Sequence, residues 1–114
     1  MNIQYQENLL AADKMAAMRF PQIRVSQLAF LRAIAIKSGS TQTELCQELG
    51  VTMSAISRNV DVFGSGKSKS ERHKSYGLIE AKRDLDDERL ILISLTDKGR
   101  IFLELIEETI YGNH

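Results

Sequence analysis

The chain has 114 residues, 43% of them hydrophobic, which suffices for one modest core but not for a full doubly wound nucleotide-binding domain. Fifteen Lys and Arg balance fifteen Asp and Glu, so any attraction to a polyanion depends on where the charges lie. The single cysteine excludes an internal disulfide and favours a reducing compartment. No apolar run reaches the roughly 18 residues of a membrane span, and the N-terminus lacks a signal-peptide pattern. A soluble cytoplasmic protein is therefore expected.

Helical patterns fill the first part of the chain. Residues 3–18 favour a helix that ends at Phe20-Pro21, because the residue before a proline avoids helical geometry. A second helix is predicted from an N-cap at Ser26 to a stop at Gly39. Its apolar residues occupy nearly all sides, and Ile36 is one of them, so we expect a central helix buried on most sides.

Two short helices follow with a glycine between them. Thr41 and Glu44 have the spacing of a capping box at the start of the third helix, and Gly50 ends it. The fourth helix is predicted to begin at Thr52 or Met53. Its core stripe repeats at helical spacing and consists of Ile56, Val60 and Phe63.

The opposite face of the fourth helix is small, polar or charged. It carries Ser54, Ala55, Ser57, Arg58 and Asp61. Small residues allow a helix backbone to approach base edges, hydroxyls near a helix N-terminus reach phosphates, and an arginine suits a guanine edge or a phosphate. Asn59 either reads adenine or faces solvent. The pair of helices is typical of a helix-turn-helix.

The pattern becomes β-like after residue 77. Residues 78–83 predict a strand, residues 84–88 an acidic turn, and residues 89–95 the return strand. Thr96-Asp97 caps a last helix. The fold class predicted is mainly α with a small β-hairpin, a winged helix-turn-helix. We expect one domain over residues 1–114, divided into an N-terminal helix (1–20), a helical core (26–63), a basic loop (64–77), a wing (78–95) and a C-terminal helix (96–111).

The stretches TELCQELGVTMSAISRNVD and GLIEAKRDLDDERLILISLTDKGR resemble the MarR family of bacterial winged-helix regulators. The resemblance covers roughly residues 25–106. Its most specific part is Asp84-x-x-Asp87-x-Arg89 followed by Leu95-Thr96-x-Lys98-Gly99. The form with extra residues before Gly77-Leu78 is similar to MarR-like proteins of phages and mobile elements.

The resemblance implies roles for particular residues. Ser54, Ser57 and Arg58 would lie in the major groove of DNA, Arg89 would reach the minor groove from the wing, and Asp84 and Asp87 would brace the wing by pairing with arginine. A purely structural role for Arg89 as their partner is the rival interpretation. Two departures from the family are Glu88, where a basic residue is common, and terminal helices that are short for the usual dimer interface and ligand pocket.

The stretch Gly64-Ser65-Gly66-Lys67-Ser68 looks like the end of a nucleotide-binding loop. Such a loop requires a glycine where this chain has Asp61, and it requires a buried strand where the chain has a helical pattern. We interpret the stretch as the exit of the fourth helix into a basic loop. Residues 64–77 carry a charge surplus of +3 that is suited to DNA phosphates, although a packing or dimerisation insert is the alternative. The cations are Lys67, Lys69, Arg72 and Lys74.

Other reactive residues are given structural interpretations. Cys46 is expected to be core or half-buried rather than a redox sensor, and His73 is not expected to sense pH. The wing carboxylates are explained by bracing, so no metal and no cofactor are expected. No catalytic constellation is recognised, and the chain is predicted not to be an enzyme.

The leading hypothesis is a sequence-specific regulator of transcription that binds double-stranded DNA, as a homodimer. Any small-molecule effector is left open. The alternative is a winged-helix protein-interaction module in a phage or replication assembly. The residues assigned to DNA are Thr52, Ser54, Ala55, Ser57, Arg58, Asn59, Lys67, Lys69, Arg72, Lys74, Lys82, Arg83 and Arg89.

Overall fold

The computed structural model describes residues 1–64 and 76–112. Five helices and one two-stranded antiparallel hairpin follow one another in this part of the chain. They are α1 (Ile3–Arg19), α2 (Val25–Ile36), α3 (Gln42–Leu49), α4 (Met53–Phe63), β1 (Ile79–Arg83), β2 (Ile91–Leu95) and α5 (Asp97–Ile110). The predicted fold class, mainly helical with a hairpin wing after a helix-turn-helix, is confirmed.

Local capping groups set most of the helix starts. The side chain of Asn2 accepts a hydrogen bond from the Tyr5 backbone N–H at the start of α1. Thr41 and Glu44 form the predicted capping box of α3, with each side chain accepting from the other residue's backbone N–H. These bonds satisfy N–H groups that a helix leaves without an internal partner.

The start of α2 differs from the prediction. The helix begins at Val25 with Arg24 as its N-cap, so Ser26 is not the cap. The side-chain oxygen of Gln27 accepts from the Arg24 backbone N–H at 2.8 Å, which fixes the earlier start. The predicted burial on most sides is also wrong at the helix end, because Ile36 is 86% exposed while Phe30 and Ile34 are fully buried.

The wing is joined to the helical part by a third segment. Strands β1 and β2 pair in antiparallel register from Ile79 opposite Leu95 to Arg83 opposite Ile91. Ser40 bridges β2 from its other side, since the Ile93 N–H donates to the Ser40 carbonyl at 2.7 Å and the Ser40 N–H donates back at 3.2 Å. The middle of β2 is thus held beside the start of α3.

An aromatic cluster connects α4 with α1 and α5. The Phe63 ring lies 6.0 Å from Phe30 and 5.6 Å from Tyr76, measured between centroids. Phe20 contacts Tyr76 at 4.7 Å and Phe102 at 4.9 Å in an edge-on arrangement. Rings at these distances add about 0.5–1.5 kcal/mol per pair beyond their burial. Within residues 1–64 and 76–112, every helix and both strands contribute side chains to one core.

None of the helices within the described ranges is both long and apolar enough to cross a membrane.

Candidate nucleic-acid interface

The α3–α4 turn fixes where α4 begins. Gly50 ends α3 in the left-handed region, with φ of 65°, a conformation that costs glycine little. The Thr52 hydroxyl then accepts from the Ala55 backbone N–H at 3.2 Å and caps α4. Ile56 and Phe63 are fully buried. Because these two side chains anchor the inner face, the outer face of α4 is held toward solvent.

Most residues predicted on that outer face are found there, although Asp61 is half-buried. Ser54, Ser57 and Arg58 are exposed, whereas Ala55 and Asn59 are half-buried beside them. In the described part of the chain Arg58 makes no ion pair. An exposed guanidinium with no partner on a face of small side chains is suited to an external anion or a base edge.

Ser57 has a partner that the sequence pattern did not identify. Its hydroxyl donates to the side-chain oxygen of Gln42 at 3.3 Å, which connects α4 to the first residue of α3. The spacing of 15 residues gives no periodic signal, so only the packing of the two helices shows this contact. Gln42 thereby adds a polar group to the edge of the same surface.

Cys46 lies below this surface, half-buried as expected. Its thiol is 3.1 Å from the Met53 sulfur. The contact joins α3 to the first residue of α4. We assign Cys46 to the packing between the two helices.

In the wing, the Arg89 guanidinium is held at two points by one carboxylate. Its Nε donates to one oxygen of Asp87 at 3.0 Å and its Nη2 donates to the other at 3.1 Å. The Arg89 backbone N–H also donates to Asp87. These bonds hold the pKa of Asp87 below its ordinary value of 3.8, the Arg89 side chain being the largest cause, and they raise the pKa of Arg89. The Arg89 side chain is nevertheless 89% exposed.

The other predicted brace acts locally. Asp84 accepts from the Asp86 backbone N–H at 3.0 Å, a turn within the acidic tip. The arginine partner expected for Asp84 is not present among the described residues. Arg83 instead donates to the Glu88 carbonyl at 2.7 Å and ties the two sides of the tip together. Lys82, also assigned to DNA, lies 3.5 Å from Glu80 and is exposed.

The four loop cations assigned to DNA lie outside the described residues: Lys67, Lys69, Arg72 and Lys74. The residues on either side of this segment are joined. The Gly77 N–H donates to the Gly64 carbonyl at 3.0 Å and the Tyr76 N–H donates to the Val62 carbonyl at 2.9 Å. Gly64 and Tyr76, the described residues on either side of the segment, therefore both lie at the C-terminal end of α4.

One cationic residue beside α4 was not identified from the sequence. Arg24 lines a cleft between the first turn of α2 and α4, and Arg58 lines the same cleft. The prediction that α2 starts at Ser26 placed Arg24 in a loop. Only the correct start at Val25 makes Arg24 the N-cap residue of α2 and places it beside α4. Within residues 1–64 and 76–112 no cluster of three His, Cys, Asp or Glu is arranged to hold a metal.

Comparisons with known proteins identify the fold. No protein-family model matches the chain, and no curated protein matches it. Among solved structures, FabT from Streptococcus pneumoniae in complex with DNA is similar with a TM-score of 0.69 and 22% identity, over 96% of this chain and 70% of that one. The transcriptional repressor CouR, bound to a 23-mer DNA duplex, has a TM-score of 0.62 and 23% identity, over 98% and 68%.

A third solved structure carries the family name. The MarR family transcription regulator SP03579 matches with a TM-score of 0.61 and 20% identity, over 96% of this chain and 60% of that one. The TM-scores of these three matches, all above 0.6, show a shared fold, and identities of 20–23% show the fold alone. The chain accordingly has the winged helix-turn-helix fold of the MarR-family transcription regulators.

Proposed function

We propose that this protein is a sequence-specific regulator of transcription that binds double-stranded DNA. The observation that carries the proposal is the outer face of α4, where exposed Ser54, Ser57 and Arg58 surround small side chains on a helix with a capped start. Such a helix fits the major groove of B-DNA, which is about 12 Å wide. The structural neighbours FabT and CouR, both solved with DNA, support the same assignment.

In this proposal the wing and the basic loop contact the DNA on either side of the major groove. Arg89 reaches the minor groove while Asp87 holds its guanidinium in place. Lys82 and Arg83 lie at the end of β1 and approach phosphates. The loop cations Lys67, Lys69, Arg72 and Lys74 contact phosphates beyond the end of α4. The chain acts as one binding domain in the cytoplasm and not as an enzyme.

The proposal includes a homodimer. Helices α1 and α5 pack together, and the Asn8 side chain donates to the Ile110 carbonyl at 2.9 Å. Apolar side chains on these two helices remain exposed, namely Ile3, Leu10 and Ile101. Leu9, Leu103 and Ile110 are half-buried beside them. A second copy would cover these residues, and a two-fold dimer would place two α4 helices about one DNA turn apart.

The direct test is a binding titration against duplex DNA by fluorescence anisotropy at several salt concentrations. We expect saturable binding that weakens steeply with salt as counterions are released. Arg58→Ala should cost about 1–3 kcal/mol if the arginine reads a base. Absence of saturable binding to any duplex at low salt would refute the proposal. A protein-interaction module would keep its partner after Arg58→Ala and Arg89→Ala.

A further inference from the structure

A cleft beside α4 differs from other surface clefts of this protein in its charge. It lies between the first turn of α2 and the flank of α4, and its apolar lining includes Leu49 and Val51. None of the described residues that line it is acidic. Its polar lining consists of Arg24, Ser26, Gln27, Arg58 and Asn59. We name this feature the α2–α4 cleft.

Two other clefts have mixed charge, and a third is lined by glutamates without a cation. The one between α2 and α3 is lined by Lys37 together with Glu44 and Glu48. The one beside α5 is lined by Arg100 together with three acids. In a protein with equal numbers of acidic and basic residues, two arginines facing one cleft without a lining carboxylate form a local positive site. Such a site attracts an anion.

Both guanidinium groups are available to a ligand. Arg24 and Arg58 are exposed, and neither forms a salt bridge within residues 1–64 and 76–112. The backbone at Arg24 is fixed, because its N–H donates to the Gln27 side chain. The base of the Arg24 side chain therefore has a defined position at the start of α2. A guanidinium can donate two parallel hydrogen bonds to phosphate oxygens.

We propose that the α2–α4 cleft receives a backbone phosphodiester of the bound duplex, with Arg24 as the anchoring cation. This inference rests on the proposed function. Arg58 lines both the cleft and the outer face of α4, so an anion in the cleft lies next to the DNA strand that α4 follows. Arg24 is a positioning residue: it holds α4 in register over the groove and reads no base.

The test uses the full chain and two labelled duplexes, one selected for tight binding from a random pool and one unrelated. Arg24→Gln should weaken both equally, and the slope of log affinity against log salt should become less steep by about 0.9 for each bound protomer, or about 1.8 for the proposed dimer. Each neutralised phosphate that is lost lowers the affinity about eightfold at 0.1 M salt, so a dimer that loses two should bind about 60-fold more weakly. Arg24→Lys should keep the slope, because the charge remains.

Arg32→Gln is the matched control. Arg32 is an exposed arginine on the same helix, and it lines a different cleft, beside Tyr5 and Leu103. This variant should keep the affinity and the slope of the wild type. All variants should unfold at the wild-type temperature, so that a salt-slope change reports binding rather than folding.

The outcomes separate the two levels of the proposal. Wild-type protein that binds no duplex overturns the proposed function and this inference with it. Wild-type protein that binds, with Arg24→Gln unchanged, overturns the inference alone. A loss confined to the selected duplex would assign Arg24 to base reading and also overturn it. A last experiment adds inorganic phosphate to the protein–duplex complex. Phosphate should displace the duplex no better than chloride does at equal ionic strength. If phosphate displaces it more strongly, and Arg24→Gln abolishes that difference, the cleft is a free-phosphate site and the inference is contradicted.

Discussion

The carboxylate of Asp87 holds the guanidinium of Arg89 through two hydrogen bonds of 3.0 and 3.1 Å, although the Arg89 side chain is 89% exposed. Exposed ion pairs contribute little to stability, about 0–1 kcal/mol. The pair therefore contributes little to the free energy of unfolding of the protein. Its effect is to reduce the number of orientations that Arg89 adopts before it meets a ligand.

We predict that Asp87→Asn lowers DNA affinity relative to Asp86→Asn. Both variants remove one negative charge from the wing tip. Among the described residues, Asp86 contributes its backbone N–H to the turn, whereas its carboxylate holds no arginine. The two variants should become equivalent when Arg89 is replaced by Gln, because no guanidinium remains to be oriented. Equal affinities of the two single variants in the presence of Arg89 would contradict the orienting role.

The same pair should respond to acid. Because the pKa of Asp87 is lowered in the folded protein, the pair is fully present above the ordinary value of 3.8 and is lost as pH falls through the lowered value. A carboxyl-carbon NMR titration should place the Asp87 midpoint below the ordinary aspartate value of 3.8. In Arg89→Gln the Asp87 midpoint should move up toward the ordinary value, and an unchanged midpoint would show that another group lowers it.

The capping box of α3 should contribute measurably to folding. Thr41→Ala removes the acceptor of the Glu44 N–H and should cost about 1 kcal/mol of unfolding free energy in urea. Thr43→Ala is the matched control, since Thr43 is exposed within the same helix and should stay within about 0.5 kcal/mol of the wild type. A Thr41→Ala variant as stable as Thr43→Ala would mean that the cap contributes nothing.

Gly99 is required where α5 meets the start of β1. A Cβ at this position would lie 2.0 Å from the Leu78 carbonyl oxygen, which also accepts from the Thr96 N–H. Replacing glycine by alanine inside a helix ordinarily gains about 1 kcal/mol. Here Gly99→Ala should instead lose about 1–3 kcal/mol, as overpacking does.

Gly99→Ser should be no better than Gly99→Ala, because any Cβ meets the same oxygen. Gly50 differs from Gly99, because a Cβ at position 50 would have no neighbouring atom within 4 Å. Only the positive φ of Gly50 opposes its substitution. Gly50→Asn should therefore recover part of the loss caused by Gly50→Ala. A Gly99→Ala variant that unfolds at or above the wild-type urea midpoint would exclude the close approach.

The local features of the fold were predictable because their causes are local. The caps at Thr41 and Thr52 and the turn at Gly50 each depend on a few adjacent residues. The start of α2 was misplaced because Ser26 is a good cap by type, whereas the bond from the Arg24 backbone to Gln27 sets the actual start. The capping preference of Ser26 was therefore outweighed by the hydrogen bond between Arg24 and Gln27.

The parts that depend on packing were not predictable from the sequence. The contact between Ser57 and Gln42, the bridge between Ser40 and Ile93 and the α2–α4 cleft join residues far apart in the chain. The resemblance to MarR regulators implied bracing by two aspartates. It did not indicate that Asp84 would close a local turn while Asp87 alone holds an arginine.

The basic loop is proposed to add phosphate contacts beyond α4. Replacing Lys67 and Lys69 together by Gln should make the slope of log affinity against log salt less steep. The change should be about 0.9 for each phosphate that these lysines neutralise in the wild type. The control removes the same charge elsewhere, by Lys14→Gln with Arg32→Gln, two exposed residues of α1 and α2. If both double variants change the slope equally, the effect belongs to overall charge and the loop has no special role.

The central claim is that the outer face of α4 reads a DNA sequence, and selection of bound duplexes from a random pool tests it most directly. The wild type should enrich one sequence motif, and Arg58→Ala should retain weaker binding while relaxing the preference at one or two positions of that motif. Recovery of a pool with no enriched motif, or of the same motif at full strength after Arg58→Ala, would contradict the account.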